Sequence, residues 1–284
     1  MAKNIVLCAD STCDLGPELI EKYGVHIYPL HVLVDGEPHS DGVDITPDDI
    51  YATYAEKGIL PKTAAVAPAE YIDFFKPLVD AGNEVIHISL GSALSSSHNN
   101  CRLASMELDG VYAVDSRNLS TGSGLLVIEA AERIAKGMAA ADIVEELNEI
   151  AGRVSASFVI NDLEFLHKGG RCSALAMFGA NVLKLKPSIK VDNADGSMGV
   201  DKKFRGTFEK AMSDYIADQL KDRTDIDTRR IFITHSGVSE ERLALAKELV
   251  EQYGNFDEIL ITRAGCTISA HCGPNTLGVL FITK

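Results

Sequence analysis

The stretch Asn4-Ile5-Val6-Leu7-Cys8-Ala9-Asp10-Ser11-Thr12-Cys13-Asp14-Leu15-Gly16-Pro17 decides the fold class. From Asn4 to Ala9 it is a continuous apolar run, the pattern of a strand buried on both faces. A carboxylate closes the run and a short polar turn follows. Gly16-Pro17 then opens a helix, with proline where its missing N–H costs nothing. Strand, turn and helix in this order are the first unit of a parallel sheet covered by helices.

The same alternation continues outward. Val25–Val34 is β-rich and ends at the turn Asp35-Gly36. Thr46-Pro47-Asp48-Asp49 is a helix start, with a capping hydroxyl, then proline, then acids, and predicts a helix to about Lys57. Pro68–Val79 is a further helical stretch, Glu84–Ser89 a strand, Asn99–Met106 a helix and Val111–Val114 a strand. Leu125 to about Ala151 has helical spacing broken near Gly137. Ser155–Ile160 is a strand and Leu163–His167 begins a helix. Asn193-Ala194-Asp195-Gly196 is a hairpin turn between strands Ser188–Val191 and Met198–Lys202. Helices over Thr207–Leu220 and Glu240–Tyr253 and strands over Arg230–His235, Glu258–Thr262 and Leu277–Ile282 complete the chain. The expectation is an α/β protein of two domains that share a firm interface. Residues 1–152 form a parallel-sheet α/β domain and residues 153–284 a mixed-sheet α/β domain.

Composition narrows the function. The chain has 284 residues, 46% hydrophobic and 24% charged, the balance of a folded globular protein. Lys+Arg number 27 and Asp+Glu 41, a net charge of −14. Such a surface repels phosphate backbones and anionic headgroups, which argues against a nucleic-acid or membrane-surface protein. No segment offers the roughly 18 uninterrupted apolar residues of a membrane-spanning helix. The start of the chain has too short an apolar run for a secretory signal. The expectation is a cytoplasmic protein, without stable membrane insertion. Six cysteines, Cys8, Cys13, Cys101, Cys172, Cys266 and Cys272, form no C-x-x-C pair and no zinc-ribbon spacing. They are expected as free thiols, with no metal site.

Several segments could carry chemistry. Asp10-Ser11-Thr12-Cys13-Asp14 stands where a parallel sheet places its ligands, at the end of a strand. Its two carboxylates could hold a metal or move protons, or could simply bond turn amides. Asp10 and Ser11 are candidates for a pocket wall. Thr63-Ala64-Ala65-Val66-Ala67-Pro68 is a small-residue loop before a helix. Gly91-Ser92-Ala93-Leu94-Ser95-Ser96-Ser97-His98 follows a strand and opens another helix. Hydroxyls and free amides there suit a carboxylate, although one serine would suffice as a helix cap. The run contains no G-x-S-x-G elbow of a serine nucleophile. Lys168-Gly169-Gly170-Arg171 could expose amides and a guanidinium to phosphate, or end a helix with a glycine cap. Arg205-Gly206-Thr207 starts a helix, and His271 stands in a Gly/Pro loop before the last strand.

At these segments the chain resembles the DegV family, whose characterised members are bacterial fatty-acid-binding proteins. The resemblance covers essentially the whole length and rests on Asp10–Leu15, Lys62-Thr63, Leu94-Ser95, Asp115-Ser116, Leu163–Arg171, Leu185-Lys186-Pro187 and His271–Pro274. It implies a lipid tunnel between the two domains that holds one long-chain fatty acid such as palmitate, stearate or oleate. It implies that Thr63, Ser95 and His271 bind the carboxylate; Ser11, Ser92 and Ser96 are expected on the pocket wall from their places in the loops. It further implies a separate ATP-dependent fatty acid kinase subunit that phosphorylates the bound carboxylate, met through Arg171 and Arg205. The chain itself would be a non-catalytic monomer with no cofactor. The loops depart from the family pattern at Ala64 and Ala67, at Ser96 where glycine is usual, at His98 and at Asn275. The rival readings are a phosphotransferase or hydrolase using Ser95, His271 and the Asp10/Asp14 pair, and a binding protein for another amphiphile.

Overall fold

The computed structural model describes residues 4–172 and 185–284. β1 (Ile5–Asp10), β2 (His26–Tyr28), β6 (Glu84–Ser89) and β7 (Val111–Asp115) form a four-stranded parallel sheet in the order β2-β1-β6-β7. The apolar run at the start of the chain takes an inner position, as its unbroken hydrophobicity requires. α1 (Pro17–Tyr23), α3 (Pro68–Asp80), α4 (Ser97–Met106), α5 (Thr121–Ala135) and α6 (Ala140–Ala151) belong to this half. The helical stretch breaks at Gly137, whose φ of +75° suits glycine. α2 (Pro47–Lys57) begins with the expected cap: Asp49 N–H donates to Thr46 Oγ1, and the Asp49 carboxylate accepts from the Thr46 N–H.

The second half is a six-stranded mixed sheet, ordered β10-β9-β8-β13-β11-β12. Its strands are β8 (Val154–Ile160), β9 (Leu185–Val191), β10 (Met198–Arg205), β11 (Ile226–His235), β12 (Glu258–Arg263) and β13 (Thr276–Thr283). Among these described strands only β11 and β12 pair in parallel. α8 (Phe208–Leu220) and α9 (Glu240–Tyr253) pack on one face around Tyr215, Ile231 and Phe281. The other face meets the first half. One hydrophobic cluster runs from Leu7 and Ile86 through Leu126 and Leu147 to Phe158, Ile189 and Leu280, so the two sheets share a core.

Two features differ from the sequence expectation. Val25–Val34 is not one strand. Pro29, which has no N–H to donate, divides it into β2 and β3 (His31–Val34). β3 leaves the parallel sheet and pairs with β4 (Glu37–Ser40) and β5 (Lys62–Ala64) in a small antiparallel sheet. His271 is not in a loop. It is the penultimate residue of a short helix, α10 (Cys266–Cys272), that ends at Gly273.

Candidate functional site

Four chain segments converge on one cavity of about 380 Å³. β5 is held against β3 by pairing of Thr63 with Val32, and this fixes Thr63 at the edge of the small sheet. The loop Leu90–Ser96 leaves the end of β6. It is pinned from below, because the Leu90 N–H donates to Asp10 Oδ2 at 2.8 Å. α7 (Glu164–Gly169) delivers Arg171, and α10 delivers His271. Thr63, Ser92, Ser95, Ser96, Arg171 and His271 all line this cavity. The rest of its wall is mostly apolar, with Leu30, Leu90, Leu94, Leu119, Leu166 and Ile268 among it and Thr267 as a further hydroxyl. Leu119, Ile268 and Cys272 also border a narrow apolar crevice lined by Ala156, Phe158, Val191 and Leu280.

The polar lining residues make specific contacts. Thr63 Oγ1 is 2.9 Å from His271 Nε2. Ser95 Oγ accepts from the Ser97 N–H at 3.1 Å and lies 2.9 Å from Ser97 Oγ. Buried Ser97 also takes the Val66 N–H, and Asn100 donates to the Val66 carbonyl. The threonine loop and the serine loop are thus stitched to each other behind the cavity. Burial pushes His271 down to about 4, with the Arg171 guanidinium acting in the same direction, so its imidazole is neutral near pH 7. Among the described residues its Nδ1 has no hydrogen-bond partner. That nitrogen lies against Gly169, the first glycine of the Lys168–Arg171 segment, where a side chain would collide with the ring.

The remaining candidates fall elsewhere. Ser11 is a correction to the expected pocket wall. Its hydroxyl takes the Leu30 N–H at 3.1 Å and donates to Asp41 Oδ2 at 3.0 Å, so it works behind Leu30 and does not reach the cavity. Arg205 closes β10 on an exposed surface and does not line the cavity. Asp10 and Asp14 do not form a metal pair. Asp10 is fully buried and accepts from Tyr71 and His87 as well as Leu90. Asp14 accepts from Ser120 and from the Gly265 N–H. No cluster of metal-ligating side chains occurs among the described residues. Ser95 and His271 share no hydrogen bond, each being engaged with another hydroxyl. A nucleophile needs a base beside it and a group orienting that base. Among the described residues Ser95 is bonded to no imidazole and His271 to no carboxylate. Arg171 lines the cavity and donates to the Gly169 carbonyl at 2.7 Å.

The family model described as DegV matches residues 4–284. A DegV domain-containing protein of Caldanaerobacter subterraneus is 30% identical over 99% of this chain and all of its own length. A DegV family protein of Thermus thermophilus, solved in a study of its fatty acid binding, superposes with a TM-score of 0.88 at 28% identity. It covers 99% of this chain and 100% of that one. A stearic acid-binding protein of Eubacterium ventriosum superposes with a TM-score of 0.84 at 25% identity, over 100% and 99% of the two chains. Among the described residues no helix is long and apolar enough to cross a membrane.

Proposed function

We propose, on the premise that this chain belongs to the DegV family, that it binds one long-chain fatty acid and presents the carboxylate to an ATP-dependent kinase subunit. The observation that supports the reading most is the lining of the cavity. The Thr63 and Ser95 hydroxyls and a neutral imidazole share it with a set of leucines and Ile268. A buried carboxylate without partners is heavily penalised, so a headgroup belongs where the donors are. An unpaired buried N–H is rarer than an unpaired acceptor, which favours a proton on His271 Nε2 and none on Nδ1. His271 then donates to Thr63 Oγ1, and the Thr63 hydroxyl is free to donate to the carboxylate. Ser97 can likewise donate to Ser95, leaving the Ser95 proton for the ligand.

The tail supplies most of the affinity. About fourteen methylenes at roughly 0.8 kcal/mol each give on the order of 11 kcal/mol, against several kcal/mol lost on association. The cavity and the apolar crevice behind Leu119 and Ile268 are its path. Arg171 of the cavity lining and Arg205 on β10 are the assigned contacts for the kinase. In this reading the protein is a non-catalytic cytoplasmic monomer, its two domains meeting near Gly152. The replacement Thr63→Val with Ser95→Ala tests the headgroup site. Two hydrogen bonds to a charged group are worth about 1.5–3 kcal/mol each. Palmitate affinity should therefore fall at least about a hundredfold while the melting temperature holds. Unchanged affinity would remove the headgroup assignment.

A further inference from the structure

The helix that carries His271 is a poor helix by its own sequence. α10 is seven residues long, Cys-Thr-Ile-Ser-Ala-His-Cys, and contains the β-branched pair Thr267 and Ile268. It has no acidic residue in its first turn, and its N-cap is Gly265, which has no side chain to offer. A helix this short has negligible stability alone. Its first N–H groups are instead satisfied by two carboxylates from the first part of the chain. Asp14 Oδ1 accepts from Gly265 N–H at 2.8 Å. Asp41 Oδ1 accepts from Cys266 N–H at 2.6 Å and its Oδ2 from Thr267 N–H at 3.1 Å. Both carboxylates are buried. Ser11 holds Asp41 Oδ2 from the other side while taking the N–H of Leu30. At the far end of the same helix the His271 ring is confined between Gly169 and Thr63. From Cys266 to His271 the helix advances roughly 8 Å, so a tilt at its start is carried directly to the imidazole.

We propose that Asp41, seconded by Asp14 and held by Ser11, is a positioning residue that sets His271 against Thr63 by clamping the start of α10. This rests on the headgroup site proposed above. It also gives the Asp10–Asp14 segment and Asp41 a role in ligand binding, although neither Asp14 nor Asp41 lines the cavity. Asp41 makes contact with neither ligand nor imidazole, and acts only through the helix.

The test is a double-mutant cycle between Asp41→Asn and His271→Ala, read by calorimetry with palmitate. The ring-nitrogen NMR signal of His271 is followed in the ligand-free protein. The amide of Asp41→Asn keeps the shape of the carboxylate but presents an N–H₂ where one helix N–H needs an acceptor. The expected result is a roughly tenfold loss in affinity for Asp41→Asn alone, a shifted His271 Nε2 signal, and little further loss in the His271→Ala background. Equal losses in both backgrounds, or an unmoved His271 signal, would overturn the clamp. If His271→Ala binds palmitate like the parent, the headgroup reading fails instead, and the NMR signal still decides the clamp. Should Asp41→Asn not fold, Ser11→Ala replaces it in the same cycle, with a smaller expected effect and the same pattern.

Discussion

Replacing Gly169 with alanine tests how closely the headgroup site is built. A methyl at Gly169 would fall well inside contact distance of His271 Nδ1, and 3.3–3.4 Å from Cε1 and Cγ of the same ring. To restore ordinary contact at about 3.5–4.0 Å the ring must retreat by roughly 1 Å. Thr63 Oγ1 stands 2.9 Å from Nε2 across the ring, so the retreat crowds Thr63 and is relieved only by turning the imidazole out of that hydrogen bond. Thr63 would lose its orienting partner, and the carboxylate a charge-assisted contact worth about 1.5–3 kcal/mol. That corresponds to a roughly 10- to 150-fold weaker affinity for palmitate. The fold should tolerate the change. Gly169 is in α7 with ordinary helical geometry, where alanine gains up to about 1 kcal/mol. This offsets part of the crowding, about 1–3 kcal/mol. Titration calorimetry and a melting curve on the same sample separate the two effects. Affinity within about twofold of the parent, with melting unchanged, would refute the reasoning that glycine is present to make room for the imidazole.

Two further perturbations report on the buried polar groups. Acidification should weaken the fold from pH 6.5 to 4, because burial holds His235 and His271 down to about 4. Their unfolded forms take up protons from about 6.5, so the stability they contribute is present above 6.5 and lost as pH falls through 4. Asp14, which burial pushes up to about 8, works oppositely, its contribution being lost as pH rises through 8. Two histidines outweigh one acid in the lower window, and the denaturation midpoint at about pH 4.5 should lie below that at about 6.5. Replacing both histidines by glutamine should flatten the difference. Asp10→Asn should destabilise by about 1–3 kcal/mol, since an amide has one acceptor oxygen where the carboxylate's two accept from Leu90 N–H, Tyr71 and His87. Chemical denaturation measures it, and an unchanged midpoint would contradict the pinning role given to Asp10.

The parallel sheet was legible because its cues are local. An apolar run, a glycine-proline helix start and the Thr46 capping signature each name their own element, and each element forms where its residues say. The hairpin at Asn193–Gly196 is of the same kind. The parts that escaped are held by distant partners. β5 is three residues of which one is alanine and one lysine, and it is a strand only because β3 lies beside it. α10 is a helix because Asp14 and Asp41 cap it from more than two hundred residues away. Ser11 looked like a pocket residue from its place after β1, but its hydroxyl turns toward Asp41. The closeness of Thr63 to His271 is invisible in sequence, since 208 positions separate them. What the sequence did carry was the set of residue types, Thr63, Ser95 and His271, that the structure brings to one cavity.

The central claim is that the cavity holds a fatty acid by its carboxylate. Native mass spectrometry of the purified chain, followed by lipid extraction, tests it most directly. The account predicts one long-chain fatty acid such as palmitate, stearate or oleate per chain, and reduced occupancy when Thr63→Val and Ser95→Ala are combined. An empty protein that also takes up no added palmitate or oleate would contradict it.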